Sequence, residues 1–536
     1  MTVAQLFIKC LESHGVQYIF GVPGEENLDM LDALKDSSIK FIITRNEQTA
    51  VFMAATHGRL TGKAGVALAT LWPGATNMMT GVAYAQLGWM PVMVITGQKP
   101  VKKSKQGRFQ VIDIVSMMKP ITKFTTSLID ASRVASTVTH ALMIAEEEKP
   151  GAVHIELPED VASEDATIYQ PLQLLPVRRP IPDIKAVSQF FSLLESAERP
   201  MILIGGWANR KRISNYLTKV IEKYNIPFFT SQMGKWVVDE RLTQYIGTAA
   251  LTSGDYLHDV IAQADVIIAI GYDMIEKPTN LIEAGRTKVV HLHFTPTEIT
   301  ELYQPYLQII GDIGNTLRQW YEATLDTTHR KLDPLWNLAS QAKQKLTHYT
   351  DPIGSSWLCH PVQIITELRS LVDDDAILCL DNGLYKVWFA RNYPCYYPNT
   401  LLLDNALATM WAGYSSAMAV KLLEPDKQVI AIVGDGGFVM NLGDIETAVR
   451  LWHDLTIIIL NDSAYGMIKR KQHNSGFVNY GLDLQNPDFV QLAESFGAKG
   501  YRVDHATDFA SVFQQSQSEQ WVKIIDVVFA YPDDIS

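Results

Sequence analysis

The run VIAIVGDGGF, residues 429–438, places five consecutive apolar residues directly before Gly434-Asp435-Gly436-Gly437. A run that is apolar at every position, rather than at alternate ones, reads as a strand buried on both faces, the kind found in parallel sheets covered by helices. The glycines that follow let backbone approach a phosphate closely and lead into a helix start whose amides would point at it. At an interval of 27 residues after Asp435, the next such run, LTIIILND (455–462), ends on Asp462. Ligands of open α/β sheets collect at the carboxyl ends of the strands, so two neighbouring strands of this type place both carboxylates in one crevice. Two carboxylates, a loop carbonyl, phosphate oxygens and a water would complete an octahedral Mg²⁺ site. A GDGG tetrapeptide alone is only a turn; the paired strand ends make the pattern more specific.

Outward from this pair the same rhythm repeats. AILCLD (376–381) and WVKIIDVVF (521–529) flank it in the last third of the chain. The first third carries YIFGV (18–22), KFIITR (40–45), AGVALAT (64–70), PVMVITG (91–97) and VHIELPEDV (153–161), separated by helical stretches near 25–36, 47–61 and 75–87. The middle carries MILIGG (201–206), IPFFTS (226–231), ADVIIAIG (264–271) and KVVHLHF (288–294), with a charged helix at 208–224. Prolines from Pro171 to Pro182 mark one extended connector, and a polar helix at 325–350 ending in DPIGSS marks a second. The expected fold is α/β: three doubly wound parallel-sheet domains at residues 1–165, 186–325 and 355–536.

Composition limits the function. The chain has 536 residues, 46 Lys plus Arg against 58 Asp plus Glu, and a net charge of -12, with no basic excess for nucleic acid or anionic lipid. The longest apolar run is Ala50–Ala55, far below the roughly 20 residues that span a bilayer. MTVAQLFIKCLESHG reads as an amphipathic helix rather than a signal peptide. Four scattered cysteines, Cys10, Cys359, Cys379 and Cys395, suit neither a disulfide framework nor a zinc site, and the expected compartment is a reducing cytoplasm. The charged stretches KPVKKSKQGR (99–108), EEEK (146–149) and KRK (469–471) read as solvated, although the last adjoins the Asp462 strand and could receive a substrate carboxylate.

GVPGEENLDMLDAL (21–34), RNEQTAVFMAATHGRLTGKAGVAL (45–68), PGATNMMTGVAYAQ (73–86), ATMWAG (408–413), GDGGFVMNLGDIETAVR (434–450) and AESFGAKG (493–500) occur in a telling order. They resemble the acetolactate synthase group of thiamine-diphosphate enzymes over nearly the whole chain. GYDMIEKPTN (271–280) and KVVHLHFTPTEI (288–299) resemble its catabolic, flavin-independent branch. The resemblance implies decarboxylation of pyruvate and transfer of a hydroxyethyl unit to a second 2-keto acid, and a place in branched-chain amino acid biosynthesis. It also implies a homodimer or homotetramer whose sites lie between chains.

Residue by residue, the resemblance makes Glu47 the catalytic carboxyl facing the cofactor's pyrimidine and Met410 the apolar prop beneath it. Asp435, Asp462 and the carbonyl of Ala464 become the metal ligands. Pro23, Gly24, Asn77, Gly434, Gly436, Gly437, Gly466 and Met467 line the thiamine diphosphate, and Phe109 and Gln110 face the substrate. By spacing alone, Thr44-x-x-Glu47 is instead a capping box for the helix at 47–61. FAD would belong to the middle domain, where IGGWANR (204–210) is a glycine turn, but the GYDMIEKP stretch disfavours it. No His lies between His57 and His140, where aldehyde-releasing relatives carry one for protonation, which favours carboligation.

Departures from the pattern include Leu71-Trp72, Trp411 in place of a glycine, and the short tail YPDDIS. They keep open a decarboxylase or lyase acting on another 2-keto acid or acyl compound, and a non-catalytic relative.

Overall fold

The computed structural model describes residues 1–102, 110–173, 179–251, 254–276, 287–301, 303–347, 359–529 and 531. Its strands form three six-stranded sheets in which every pairing is parallel. The first contains β1 (Tyr18–Gly21), β2 (Lys40–Ile43), β3 (Gly65–Ala69), β4 (Val92–Gln98), β5 (Phe124–Ser127) and β6 (Ala152–Pro158), ordered β2-β1-β3-β4-β6-β5. The second contains β7 (Pro200–Ile204), β8 (Phe228–Ser231), β9 (Tyr245–Ala249), β10 (Val266–Ile270), β11 (Lys288–His293) and β12 (Leu307–Ile310), ordered β12-β11-β10-β7-β8-β9. The third contains β13 (Ile377–Leu380), β14 (Leu401–Leu402), β15 (Val429–Gly434), β16 (Leu455–Asn461), β17 (Lys499–Val503) and β18 (Val522–Val528), ordered β14-β13-β15-β16-β18-β17. The first and third sheets therefore share one strand order, whereas the second has the doubly wound order of dinucleotide-binding folds.

Each apolar run read from the sequence lies in one of these strands. The strands absent from that reading, β5, β9, β12, β14 and β17, all sit at sheet edges. Edge strands pair on one side only and need no long apolar run; FTTS and KGYRV are half-buried, and β14 has two residues. The first-sheet strand ends at Pro158, and Glu159–Ala162 forms a helical turn rather than its continuation.

The first and third sheets share one apolar core. Helix Glu47–Thr61 packs on helix Ala412–Leu423, and residues of both belong to the same buried cluster. Polar bonds pin this contact: Thr56 Oγ1 donates to Ser416 Oγ at 2.9 Å and Thr49 Oγ1 to Asp444 Oδ2 at 2.7 Å. The central unit is tied in by the buried pair Arg391–Asp255 at 3.2 Å.

Two charged stretches depart from the solvated reading. Lys99 is 5% exposed and ion-paired with Glu26, because strand β4 delivers it into the interior. In EEEK, Glu148 pairs with Arg210 and Lys149 with Asp273, so the stretch bridges the first unit to the second. Residues 103–109 of the first stretch lie outside the described residues. No helix among the described residues is long and apolar enough to cross a membrane.

Candidate active site

Strands β15 and β16 are adjacent and in register, with Gly434 opposite Leu460. Gly434 and Asp435 therefore emerge beside Asp462 at the carboxyl edge, as the spacing requires. Both carboxyl groups line one cavity of ≈ 540 Å³, together with Gly436, Gly437, Met410 and Ala464. Gly466, Met467 and Lys471 continue its wall on the helix Gly466–Asn474. The glycines are spatially required here: a Cβ on Gly437 would stand 2.5 Å from Asp381 Oδ2, and one on Gly466 would stand 2.7 Å from Asp462 Oδ2.

Asp435 is 1% exposed, and burial raises its carboxyl pKa even though Asn486 Nδ2 donates to Oδ2 at 2.6 Å. Asp462 is pushed up to about 7, first by burial and then by the charge of Asp435. Two buried carboxyl groups whose pKa values burial raises, one of them also through the charge of the other, are stabilised as anions by a divalent cation between them. The donor set, two carboxylates and the neighbouring Ala464 carbonyl, is the hard-oxygen type that suits Mg²⁺.

Met410 is held from both sides. Asn382 Nδ2 donates to the Thr409 carbonyl at 2.7 Å, and the Trp411 amide donates to Asp381 Oδ2 at 3.0 Å. Asp404 accepts from the amides of Ala406, Leu407 and Ala408, fixing the loop that leads to it. The Trp411 ring points away from the cavity: its Nε1 donates to Thr49 Oγ1 at 2.9 Å, on the first-sheet helix. Trp72 packs against the core shared by the first and third sheets. Neither tryptophan lines the cavity.

A second cluster sits at the carboxyl edge of the first sheet. Glu47, 8% exposed, is the first residue of helix Glu47–Thr61. The helix cap is Asn46, whose side chain accepts from the Gln48 amide, so Thr44 and Glu47 do not form the capping box that their spacing suggests. Thr44 Oγ1 donates instead to the Asn46 carbonyl at 2.9 Å. Glu47 is thereby released from a capping role, and its Oε2 accepts from Asn77 Nδ2 at 2.9 Å. Gly74 lies against Oε1, where a Cβ would come within 3.0 Å. Pro23 and Gly24 follow β1 at the same edge, Gly24 packing so close to Thr70 that a Cβ would meet its Cβ at 2.5 Å.

The first-sheet candidates Pro23, Gly24, Glu47, Asn77 and Gln110 are not among the residues lining the third-sheet cavity. Gln110 is exposed with φ +54°, and Phe109 lies outside the described residues.

The sequence carries the same division. Residues 1–117 match the N-terminal TPP binding domain of thiamine pyrophosphate enzymes, 187–320 their central domain, and 381–527 their C-terminal TPP binding domain. The chain is 32% identical to the acetolactate synthase of Bacillus subtilis (strain 168) over 99% of its length and 94% of that protein. It is 29% identical to a catabolic acetolactate synthase of Raoultella terrigena, covering 99% of this chain and 95% of that one. An acetolactate synthase large subunit from Parasynechococcus marenigrum (strain WH8102) is 31% identical over 93% of this chain and 83% of its own. The chain belongs to the acetolactate synthase group of thiamine pyrophosphate enzymes.

Within this acetolactate synthase group member, several cavity residues are ones to which the sequence assigned no role. Tyr385 Oη accepts from the Gly434 amide at 3.1 Å, and Tyr531 packs where a Cβ on Gly466 would meet its ring at 2.9 Å. From the second sheet come Gln232 and Glu276. Glu276 lies within GYDMIEKP, yet an acidic residue in a loop reveals no role until the strands around it are placed. Its carboxyl is pushed up to about 8 by burial.

Proposed function

We propose that this chain catalyses thiamine diphosphate-dependent decarboxylation of pyruvate and transfer of the resulting two-carbon unit to a second 2-keto acid, giving acetolactate. The observation that carries the reading is the Asp435–Asp462 pair at adjacent strand ends, opening with Met410 into one cavity. Full-length similarity to acetolactate synthases supports the same reaction.

Bound here, thiamine diphosphate supplies the electron sink that decarboxylation needs. Asp435, Asp462 and the Ala464 carbonyl would hold Mg²⁺ at the diphosphate end of the site, and Gly434, Gly436, Gly437, Gly466 and Met467 would let the backbone close on the cofactor. Met410, fixed by its pinned neighbours, would give the cofactor an apolar support. Glu47, with Oε2 anchored by Asn77, keeps Oε1 to share a proton with the pyrimidine ring. Pro23 and Gly24 shape the pyrimidine end, and Phe109 and Gln110 form the substrate side. Lys471, on the cavity wall, offers a cation for a keto-acid carboxylate.

The separation of the Glu47 cluster from the Asp435 cavity supports a homodimer or homotetramer in which Glu47 of one copy faces the cavity of another. The proposed domain limits are 1–165, 186–325 and 355–536. Four buried, unpaired cysteines support a cytoplasmic location, and branched-chain amino acid biosynthesis is the proposed pathway. Trp72 and Trp411 serve the core and the first-sheet contact rather than the cavity, which removes their support for a decarboxylase acting on a bulkier substrate.

The test is acetolactate production from pyruvate with thiamine diphosphate and Mg²⁺. The reading fails if no acetolactate forms, or if Glu47→Gln turns over like the unaltered enzyme.

A further inference from the structure

The central sheet has the strand order whose switch point, between β7 and β10, receives the phosphates of a dinucleotide. The glycine turn after β7 is in place, and FAD is the dinucleotide to test there. Phosphate recognition at such a turn requires backbone amides free to donate. In this protein all six amides from Gly205 to Arg210 are already bonded within the chain. Gly205 donates to the Ile270 carbonyl at 3.0 Å and Trp207 to the Gly271 carbonyl at 2.9 Å. Ala208, Asn209 and Arg210 donate back into the turn, to Gly205, Gly206 and Ala208. The amide of Gly206 donates to the carboxyl of Glu276, at 3.1 Å to Oε1 and 3.0 Å to Oε2.

Glu276 collects further donors from the same strand ends. Ser231 Oγ, at the end of β8, donates to Oε2, and the Asp273 amide, just past β10, donates to Oε1 at 3.0 Å. Its own carbonyl accepts from Asn405 of the third unit at 3.4 Å. The glycines are used for the same closure. A Cβ on Gly205 would stand 2.3 Å from Tyr272 Cα, and one on Gly271 would stand 2.4 Å from the Ala208 nitrogen. The close approach that a dinucleotide turn reserves for pyrophosphate is taken here by a second stretch of backbone. The residues present do not fit FAD.

We infer that Glu276 is the resident acceptor at the dinucleotide position of the central sheet, where its carboxyl replaces a phosphate and forms the central-unit wall of the Asp435 cavity. Its side chain gathers the ends of β7, β8 and β10, and its main chain joins them to the loop that carries Met410. Because Glu276 lines the cavity, removing the carboxyl leaves three donors, Gly206 N–H, Asp273 N–H and Ser231 O–H, facing space that a small anion can reach.

This goes beyond the proposed function and is independent of its keto-acid chemistry; thiamine diphosphate binding, measured in parallel, separates failure of one from failure of the other. The experiment compares unaltered enzyme with Glu276→Ala and Glu276→Asp. FAD and ADP are titrated into the unaltered protein by calorimetry, and thermal midpoints are read with and without inorganic phosphate. The unaltered protein should show no flavin absorbance and no heat with either nucleotide. Phosphate should raise the midpoint of E276A by several degrees and leave the unaltered protein where it was. E276D, which draws the carboxyl back by one methylene, should respond in the same direction by less, and decides the matter if E276A does not fold. Binding of FAD or ADP by the unaltered protein overturns the inference, as does a folded variant that ignores phosphate.

Discussion

Two glycine turns in this chain look alike on paper, IGGWANR after β7 and VGDGGF across the end of β15. Each ends a fully apolar strand of a parallel sheet, and each leads into a helix. The first closes on itself: its amides are bonded to neighbouring backbone and to Glu276, and its glycine packs against Tyr272. The second opens onto a cavity of ≈ 540 Å³ walled by two carboxylates. The glycines permit close approach in both places, and what approaches is decided by residues far away in sequence. A glycine-rich βα turn is thus a site only where its donors are left for a ligand.

The largest expected effect tests the open turn from its far side. Glu47→Gln should lower turnover roughly 100- to 10,000-fold, the range for a lost acid–base group, while thiamine diphosphate still binds. Steady-state rates alongside a binding titration check it, and loss of binding in proportion to rate would reassign Glu47 to anchoring.

The two places can be compared by adding one methyl group at Gly205 of the closed turn and one at Gly466, on the wall of the cavity that the open turn faces. On Gly466 it meets Asp462 Oδ2 and the ring of Tyr531, both side-chain atoms that can shift, so Gly466→Ala should weaken Mg²⁺-dependent cofactor affinity about 10- to 100-fold. On Gly205 it meets backbone that cannot yield, so Gly205→Ala should cost about 1–3 kcal/mol of stability. Isothermal titration and denaturant unfolding measure the two. If G205A spares stability and G466A spares affinity, the contrast between closed and open turns disappears.

The closed turn should also leave a mark on pH dependence. Burial raises the Glu276 carboxyl from 4.5 to about 8. The folded protein then keeps a proton that the unfolded chain has released between those values. The contribution is fully present below pH 4.5 and is lost as pH rises through about 8, with a slope of at most about 1.4 kcal/mol per pH unit. Glu276→Gln cannot titrate and should flatten that fall; unfolding midpoints at pH 5, 6, 7 and 8 decide, an unchanged slope counting against it. The smallest effect belongs to the contact behind the open turn. Trp411→Phe removes the bond to Thr49 and should cost about 1 kcal/mol by the same unfolding assay, with little change in affinity.

The pair Asp435 and Asp462 was legible before any coordinates because both the strands and the interval between them are local facts. Glu47 was legible only as an ambiguity: its spacing from Thr44 suited a cap, and the choice fell to Asn46 because the chain enters the helix two residues later than that box requires. Lys99 reads as part of a basic loop until β4 carries it inside to Glu26. Glu276 reads as one more acid in a polar stretch.

The sequence by itself determined the three parallel sheets, through apolar runs that only burial on both faces explains, and the carboxylates that end two of those runs. Tertiary structure alone decided the edge strands, whose single pairing partner leaves no apolar signature. It alone also decided which glycine turn faces a cavity, because the backbone and the carboxyl that close the turn after β7 come from strand ends that meet only after folding.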